Sequence, residues 1–371
     1  MRTYNIINGN CIEELKKIKS DSIDLIFADP PYWMRVSGVL TRVEGTEFEG
    51  CNDEWDNQFT TLKDYEDFTK EWLSECYRVL SPNGSIWVIG GMQCIYTIGA
   101  IMQDIGYWII NDVIWHKKNP TPNFKGTRLN NSHETLIWAT KSQKSKYTFN
   151  YKTAKELNKD NVSEEDFKAG VRKQLSSVWK IAVCNGNERI KDSTGKKLHS
   201  TQKPYELLYR IINISSKIDD IVLDPFGGTF TTGAVAKQCG RSFIGIDMNK
   251  KYCDYGKKRI EETLELIGDI ETASYDIKPI KVSLSNMIND KFLIEGENLY
   301  IKNTSIAVKL LKDGKVKLAD GEITNIHVAA AKTTHKLATR VNGFDYWYVN
   351  RNSQRVSIDT IRENYRKFIT H

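Results

Sequence analysis

The sequence of 371 residues has no apolar run long enough to cross a membrane and no signal-peptide core at its polar N-terminus. Its seven cysteines form no C-x-x-C pair, so neither a zinc site nor a disulfide framework is indicated. Internal repeats and low-complexity tracts are also missing. Hydrophobic residues make up 40% and charged residues 27%, as in globular proteins with a sizeable core. We therefore expect a cytoplasmic protein with reduced thiols and no bound metal.

The charge is distributed unevenly along the chain. Residues 1–70 carry 8 basic against 14 acidic side chains, whereas residues 117–160 carry 10 against 3 and residues 271–371 carry 16 against 11. Two separate basic regions fit a polyanionic partner. Solvated lysine faces are common, however, so charge alone does not decide between the two interpretations.

Apolar runs of strand length alternate with segments of helical periodicity. Strands are predicted at 23–27, 85–89, 108–115, 135–140, 221–223 and 242–246, and helices at 64–80, 204–215 and 250–266. This alternation predicts an α/β domain with a largely parallel sheet. Polar stretches at 154–174 and 268–280 are predicted to be a loop and an interdomain linker. Beyond about residue 280, strand candidates at 292–294 and 316–318 indicate a small α+β module.

A glycine-rich turn at 224–233 joins a predicted strand to a helix, and Asp247 ends the next strand about twenty residues later. The turn is not G-x-G-x-x-G and no P-loop lysine follows, which argues against a dinucleotide or a nucleoside triphosphate. S-adenosyl-L-methionine fits better, because its ammonium group needs a carboxylate such as Asp224 and its sulfonium favours a site without competing lysines. Alternatively, the glycines only make a tight turn and Asp247 only caps a helix.

A second motif, Asp29-Pro30-Pro31-Tyr32, follows directly on an apolar strand. An aromatic exocyclic amine is a poor nucleophile, because its lone pair is delocalised into the ring. Acceptors such as the Asp29 carboxylate and the Pro30 carbonyl hold its N–H bonds, and the prolines stiffen the loop. The Tyr32 ring can stack on a base turned out of the double helix. Without the cofactor turn in the same chain, a Pro-Pro turn with a capping aspartate is an equally good interpretation.

The catalytic motif precedes the cofactor motif, as in the β class of DNA amino-methyltransferases, and the chain resembles that class. Further matching stretches lie at 8–12, 28–33, 54–56, 130–136 and 199–204. On these stretches the chain is similar to the GANTC-specific N6-adenine methyltransferases of the HinfI and cell-cycle-regulated (CcrM-like) type. The resemblance covers residues 1–265 closely, and the tail resembles the small C-terminal DNA-binding module of the same enzymes.

This resemblance implies a Rossmann-like, doubly wound methyltransferase sheet with a circularly permuted motif order, followed by an α+β module. It implies a catalytic domain over 1–268, with a target-recognition segment at about 117–180, and a DNA-recognition module over 280–371. Its implied partners are double-stranded DNA and a second copy of the chain, while the presence of a cognate restriction endonuclease stays open. Cytosine-N4 or RNA methylation by the same chemistry stays open, as does a DNA-binding protein with an impaired cofactor turn. Aspartate at position 29, where cytosine-N4 enzymes often carry serine, favours adenine.

The resemblance also implies residue roles. The implied catalytic residues are Asp29, Pro30, Pro31 and Tyr32. The implied cofactor-binding residues are Asn10, Cys11, Asp29, Thr201, Gln202, Lys203, Asp224, Phe226, Gly228, Thr231, Thr232, Asp247 and Met248. Within this set Asp247 binds the cofactor ribose, Asn10 lies near its adenine, and residues 201–204 line its methionine end.

Two departures from the family pattern concern the cofactor residues. Asn10 stands where the family usually has aspartate, but its amide oxygen still accepts a hydrogen bond. Gly227 stands where phenylalanine is usual, and Phe230 where glycine is usual. We expect the bulky side chain to have moved three positions along the turn and refilled the same space, leaving the pocket intact.

Predicted DNA contacts come from the segment 33–56, from the basic loop after residue 117 and from the C-terminal module. The predicted residues are Arg35, Arg42, Lys117, Asn119, Asn123, Lys125, Arg128, Asn130, Asn131, His133, Lys332, His335, Lys336, Asn342, Trp347 and Arg351. For any one of them an ordinary exposed side chain is an equally good interpretation, and a core position suits Trp347 as well.

Overall fold

The computed structural model describes residues 2–34, 40–41, 47–48, 58–123, 126–266, 280–302, 304–334, 340–351 and 354–370. The described chain divides into two compact units at the boundary between residues 277 and 278. The predicted linker at 268–280 lies outside the described residues, apart from its last position. Within the described ranges, no helix has the length and apolar character needed to cross a membrane.

The first unit contains a central sheet and flanking helices. Its strands are β1 (Tyr4–Asn8), β2 (Ile23–Ala28), β3 (Leu40–Thr41), β4 (Glu47–Phe48), β5 (Leu80–Gly90), β6 (Trp108–Lys117), β7 (His133–Thr140), β8 (Val178–Ile181), β9 (Ile221–Asp224) and β10 (Ser242–Asp247). Its helices are α1 (Cys11–Lys17), α2 (Leu62–Val79), α3 (Ile95–Ile105), α4 (Tyr151–Glu156), α5 (Glu164–Lys168), α6 (Tyr205–Ser215), α7 (Thr231–Gln238) and α8 (Lys250–Glu262).

Eight of these strands form one sheet in the order β1-β10-β9-β2-β5-β7-β6-β8. Strands β1, β10, β9, β2 and β5 are parallel to one another, and β7 runs antiparallel to both of its neighbours. Alternate side chains of β2 enter two different cores, because successive residues of a strand face opposite sides. Ile26 packs with residues of α1, α2 and α3, and Phe27 packs with residues of α6, α7 and α8. This is the predicted doubly wound α/β fold.

The helix α2 shows how local sequence produces these elements. The Thr61 hydroxyl accepts from the Asp64 backbone, and the Asp64 carboxylate accepts from the Thr61 backbone, which completes a capping box. Apolar side chains at helical spacing, such as Trp72 and Leu73, bury one face against the sheet. The helix ends at Val79, where the chain enters β5 directly.

Two predictions about local structure are wrong. The stretch 154–174, predicted to be a loop, contains the end of α4 and all of α5, whose Ser163 N-cap accepts from the Asp166 backbone. The stretch 292–294, predicted to be a strand, lies in a turn between helix and strand. Its short apolar run supplies Leu293 to the core without pairing with another strand.

The second unit is built on an antiparallel sheet in the order β14-β13-β12-β11-β15-β16. Its strands are β11 (Asn298–Ile301), β12 (Ala307–Leu310), β13 (Val316–Lys317), β14 (Ile323–Thr324), β15 (Trp347–Arg351) and β16 (Gln354–Ser357). Its helices are α9 (Leu284–Asn289), α10 (Ile326–Thr333) and α11 (Ile358–Thr370). One core fills the space between sheet and helices, with Leu299, Trp347 and Ile358 fully buried. This is an α+β architecture, as predicted.

Candidate active site

The two sequence motifs meet at one edge of the large sheet. Asp29 follows the last residue of β2, and Asp224 and Asp247 are the last residues of β9 and β10. Because these strands are parallel, their carboxyl ends lie side by side, where α/β proteins usually bind ligands. Every residue predicted to be catalytic or cofactor-binding lines a single cavity at this edge, together with Phe68, His199 and Tyr252.

The Asp29 carboxylate has one engaged oxygen and one open oxygen. Its Oδ2 accepts a hydrogen bond of 2.6 Å from the Lys203 ammonium, whose Nζ also lies 5.3 Å from the centre of the Tyr32 ring. Its Oδ1 is buried and has no hydrogen-bond partner among the described residues. Burial raises the pKa of Asp29, and the nearby Lys203 charge opposes that rise. A buried acceptor without a donor is costly, so this oxygen is suited to a donor that arrives with a ligand.

Neighbouring elements hold the catalytic loop. The hydroxyl of Tyr65 on α2 donates to the carbonyl of Pro31 at 2.9 Å, and the Tyr65 ring stacks on Trp33 with centroids 5.7 Å apart. On the other side, the Tyr32 hydroxyl donates to Glu134 Oε2 at 2.9 Å. Neither Tyr65 nor Glu134 is among the predicted site residues. Glu134 lies within the matching stretch 130–136, but the sequence gives no signal of its partner.

The cofactor turn is fixed by hydrogen bonds to the two other carboxylates. The Gly228 N–H donates to Asp247 Oδ2 at 2.8 Å, and the Asn249 N–H donates to Oδ1 at 2.7 Å. Gly228 has φ +52°, a backbone conformation that glycine adopts without strain. Asp224 accepts from the Thr232 hydroxyl at 2.5 Å and from the Phe226 N–H at 3.0 Å.

The charges around the cavity favour a cationic ligand. Burial, together with the charges of Asp29 and Asp247, raises the pKa of Asp224 to about 7, although its hydrogen bonds from Thr232 and Phe226 oppose the rise. Asp224 has no ion pair among the described residues. The ammonium and sulfonium groups of S-adenosyl-L-methionine supply the positive charge that three closely spaced carboxylates need. Within the described part of the chain, no group of three or more His, Cys, Asp or Glu side chains is arranged to hold a metal ion.

Phe230 does not enter the cavity. It is fully buried and has φ +54°, which is strained for a residue with a side chain. A Cβ atom added to Gly227 would lie 2.3 Å from the Phe230 ring, and one added to Gly256 would lie 2.2 Å from it. The ring therefore occupies the space beside Gly227, in agreement with the expected shift of the bulky side chain along the turn.

Asn10 lines the cavity, but its amide oxygen is already engaged. As the N-cap of α1, Oδ1 accepts from the Ile12 N–H at 2.9 Å and from the Glu13 N–H at 3.4 Å. The expectation that this oxygen accepts a hydrogen bond from the cofactor amine is therefore corrected. Asn10 shapes the cavity and begins the helix beside it.

In the basic loop between β6 and β7, some residues predicted to contact DNA are exposed, and others are bound within the protein. The side chains of Arg128, Asn130, Asn131 and His133 are exposed. Asn119 Oδ1 accepts from the Val183 backbone at 2.8 Å, and Asn123 donates to the Arg128 carbonyl at 2.7 Å. The Lys117 ammonium is bound by Glu134 at 2.7 Å, and only 16% of its side chain is exposed. The prediction that Lys117 contacts DNA is therefore corrected, because its charge is used inside the protein.

The second unit engages several predicted residues in its own fold. Trp347 is fully buried and its Nε1 donates to the Ile326 carbonyl at 2.9 Å, so the predicted DNA contact of its ring is wrong. The other described side chains are bound by carboxylates: Glu322 binds the Lys332 ammonium, Glu297 binds the Arg351 guanidinium, and Asp345 accepts from the Asn342 amide.

Five positions predicted to contact DNA lie outside the described residues, namely Arg35, Arg42, Lys125, His335 and Lys336.

A doubly wound sheet with one antiparallel strand, and a cavity of carboxylates at its carboxyl edge, define an S-adenosylmethionine-dependent methyltransferase. Residues 23–258 match the N6_N4_Mtase family, described as DNA methylase, and the chain belongs to that family. This membership confirms the predictions of a DNA methyltransferase and of S-adenosyl-L-methionine as its methyl donor.

Similar proteins agree with this assignment. Type II methyltransferase M.HinfI from Haemophilus influenzae is 50% identical over 361 residues, covering 97% of this chain and 96% of that protein. Type II methyltransferase M2.LlaDCHI from Lactococcus lactis subsp. cremoris is 37% identical over 258 residues, 69% of this chain and 89% of that protein. The solved structure of PvuII DNA methyltransferase (cytosine-N4-specific) is 21% identical with a TM-score of 0.51, covering 70% of this chain and 87% of that one. That likeness shows the fold.

Proposed function

We propose that the protein is a site-specific type II DNA methyltransferase that transfers a methyl group to adenine N6, with GANTC as its target. The observation that carries this proposal concerns Asp29, which lines the cofactor cavity. Its Oδ1 is buried and has no hydrogen-bond partner among the described residues, so it can accept from an N–H donor of the substrate. The choice of adenine and of the target sequence is supported by the 50% identity to M.HinfI along nearly the whole chain.

The catalytic loop holds the target amine. Asp29 Oδ1 and the Pro30 carbonyl accept its two N–H bonds, which favours tetrahedral geometry at nitrogen and makes the lone pair available. Pro31 stiffens the loop, and its carbonyl is fixed by Tyr65. The Tyr32 ring stacks on the flipped base. The amine lone pair would then attack the cofactor's methyl carbon in line. The N–C bond would form as the S–C bond breaks, with S-adenosyl-L-homocysteine as the leaving group, the surplus amine proton passing to solvent and no covalent bond between enzyme and substrate.

The remaining cavity residues hold the cofactor, which supplies a methyl group activated by its positively charged sulfur. Asp224 binds the ammonium group, and Asp247 accepts from the ribose hydroxyls with its unused lone pairs. Thr201 and Gln202 line the methionine end, and Thr231, Cys11, Phe226 and Met248 complete the lining of the cavity. Lys203 balances the charge of Asp29 at 2.6 Å.

The two units divide the work between chemistry and recognition. Residues 1–268 form the catalytic domain, and the segment at about 117–180 recognises the target through exposed side chains such as Arg128 and Asn130. Residues 280–371 form a DNA-recognition module. The enzyme acts in the cytoplasm as a homodimer, alongside a cognate restriction endonuclease. Size-exclusion chromatography with light scattering tests the dimer.

The decisive assay uses purified protein, labelled S-adenosyl-L-methionine and two duplexes that differ only in the last base pair of one GANTC site. We expect label in the GANTC duplex alone, recovered after digestion as N6-methyladenine. Recovery of N4-methylcytosine would replace adenine by cytosine as the target. Tight DNA binding without transfer would contradict the enzymatic proposal altogether.

A further inference from the structure

Glu134 joins the catalytic loop to a lysine at the sheet edge. Its Oε2 accepts from the Tyr32 hydroxyl at 2.9 Å and its Oε1 accepts from the Lys117 ammonium at 2.7 Å. The side chains of Glu134 and Lys117 are only 14% and 16% exposed. Phenol, carboxylate and ammonium therefore form a continuous, largely buried chain.

The two charged residues also close the base of the basic loop. Strands β6 and β7 are antiparallel neighbours, with Trp115 opposite Glu134 and His116 opposite His133. Lys117 is the last residue of β6 and Glu134 the second residue of β7. Their ion pair thus lies where residues 118–132 leave and rejoin the sheet. That segment carries the exposed side chains proposed to meet DNA.

The ionisation of the groups favours strong hydrogen bonds. Burial alone would raise the pKa of Glu134, but the charges of Lys203 and Lys117 outweigh it and keep the pKa below its usual value. Burial and the neighbouring carboxylates raise the pKa of Tyr32 well above its usual value, so the phenol keeps its proton. A protonated phenol donating to an ionised carboxylate makes a charge-assisted bond, about twice as strong as a neutral one.

We propose that Glu134 is a positioning residue for methyl transfer: held by Lys117, it fixes the phenol of Tyr32 and thereby links the orientation of the stacking ring to the base of the loop 118–132. This inference rests on the proposed function, because the Tyr32 ring is the group offered to the target base. Loop and catalytic motif are then oriented by the same carboxylate.

The test is a double-variant cycle on a duplex with one GANTC site. Glu134→Ala and Tyr32→Phe each remove one partner of the same bond, and each lowers kcat about tenfold to a hundredfold. The KM for the cofactor changes little, because neither the Tyr32 hydroxyl nor the Glu134 carboxylate is among the proposed cofactor contacts. The kcat of the double variant is no lower than that of the less active single variant, because the shared hydrogen bond is lost only once. Glu134→Gln recovers part of the lost kcat, because its amide oxygen still accepts from the phenol.

A second readout separates positioning from folding. With 2-aminopurine in place of the target adenine, fluorescence lifetimes report how the flipped base is stacked. We expect Glu134→Ala and Lys117→Met to shift the lifetime distribution in the same direction as Tyr32→Phe. Glu75→Gln, which removes a carboxylate paired with Arg78 on α2, is the matched control and leaves kcat and the lifetimes unchanged.

Each outcome decides the inference. Losses of Glu134→Ala and Tyr32→Phe that multiply in the double variant, or a Glu134→Ala enzyme as active as the wild type, would overturn it while the wild type still methylates. An inactive wild type would instead contradict the proposed function, and the inference with it. If Glu134→Ala does not fold, Glu134→Gln and Lys117→Met replace it. Unchanged lifetimes in both folded variants would then overturn the inference.

Discussion

The residues predicted to bind the cofactor and the residues predicted to contact DNA differ in their structural surroundings. Every residue predicted to bind the cofactor lines one cavity. Among the residues predicted to contact DNA, Lys117 in the first unit and Arg351 in the second are bound by carboxylates of their own unit, and Trp347 is buried. Motif residues are fixed in space by the strand ends that carry them, whereas residues chosen for charge or aromatic character serve the fold as readily as a partner.

The largest effect is expected at Asp29, which lines the cavity and is proposed to hold the target amine. Asp29→Ala removes an acceptor for the target amine, and loss of one such oriented group costs about a hundredfold to a thousandfold in kcat. Labelled methyl transfer to a GANTC duplex measures it. The matched control is Asp21→Ala, an exposed carboxylate paired with Lys141 at 2.5 Å outside the cavity. If Asp29→Ala and Asp21→Ala were equally active, the proposed catalytic role of Asp29 would be wrong.

The second prediction concerns Phe230, the residue that fills space behind the cofactor turn. Phe230→Gly leaves a cavity costing about 3–5 kcal/mol, offset by about 1 kcal/mol of relieved backbone strain. Denaturant unfolding should therefore show a clear loss of stability, with little change in cofactor affinity by calorimetry. Adding Gly227→Phe to Phe230→Gly should recover part of the loss, whereas Gly227→Phe alone should destabilise. Tighter cofactor binding by Phe230→Gly would show that the ring does obstruct the pocket.

A third prediction follows from the raised pKa of Asp224, about 7. A cationic ligand favours the carboxylate, so below pH 7 cofactor binding must expel a proton. The Kd for the cofactor should be flat above that pH and rise as the pH falls, by up to about tenfold per unit. Asp224→Asn should bind weakly at all pH values. The exposed control Asp254→Asn should retain the wild-type profile, and a flat profile in the wild type would contradict the ammonium assignment.

The smallest effects are expected for the exposed residues that are predicted to contact DNA. Arg128→Ala removes an exposed cation and should lower the salt dependence of DNA binding by about one ion, with a modest loss of affinity. Lys332→Ala should do less, because Glu322 holds its ammonium at 2.6 Å. Fluorescence anisotropy across a salt series compares them. If Lys332→Ala weakens binding more than Arg128→Ala, the pairing seen in the second unit does not persist on DNA.

Periodicity in the sequence predicted the alternation of strands and helices, and the two motifs predicted Asp29, Asp224 and Asp247 as site residues. The other predicted cavity residues were implied by the resemblance to the β-class methyltransferases. The strands predicted in the first unit and the predicted helices overlap elements of the structure. Local patterns gave wrong predictions at 292–294, where Leu293 enters the core without strand pairing, and at 154–174, where α4 ends and the short helix α5 forms in polar sequence.

Long-range partners could not be read from the sequence. Tyr32 and Glu134 are 102 positions apart, and their contact depends on how far β7 extends beyond β2 at the sheet edge. The pairing of Lys117 with Glu134 likewise depends on the register of β6 and β7. Such contacts arise from tertiary packing, which local sequence constrains only weakly.

The most direct measurement of the central claim is the methylation pattern of DNA from a host without its own methyltransferases, after expression of this protein. Single-molecule sequencing should find N6-methyladenine at GANTC sites when the wild-type chain is expressed, and none when Asp29→Ala is expressed at the same level. Modified cytosine, a different predominant motif, or unchanged methylation with Asp29→Ala would contradict the account.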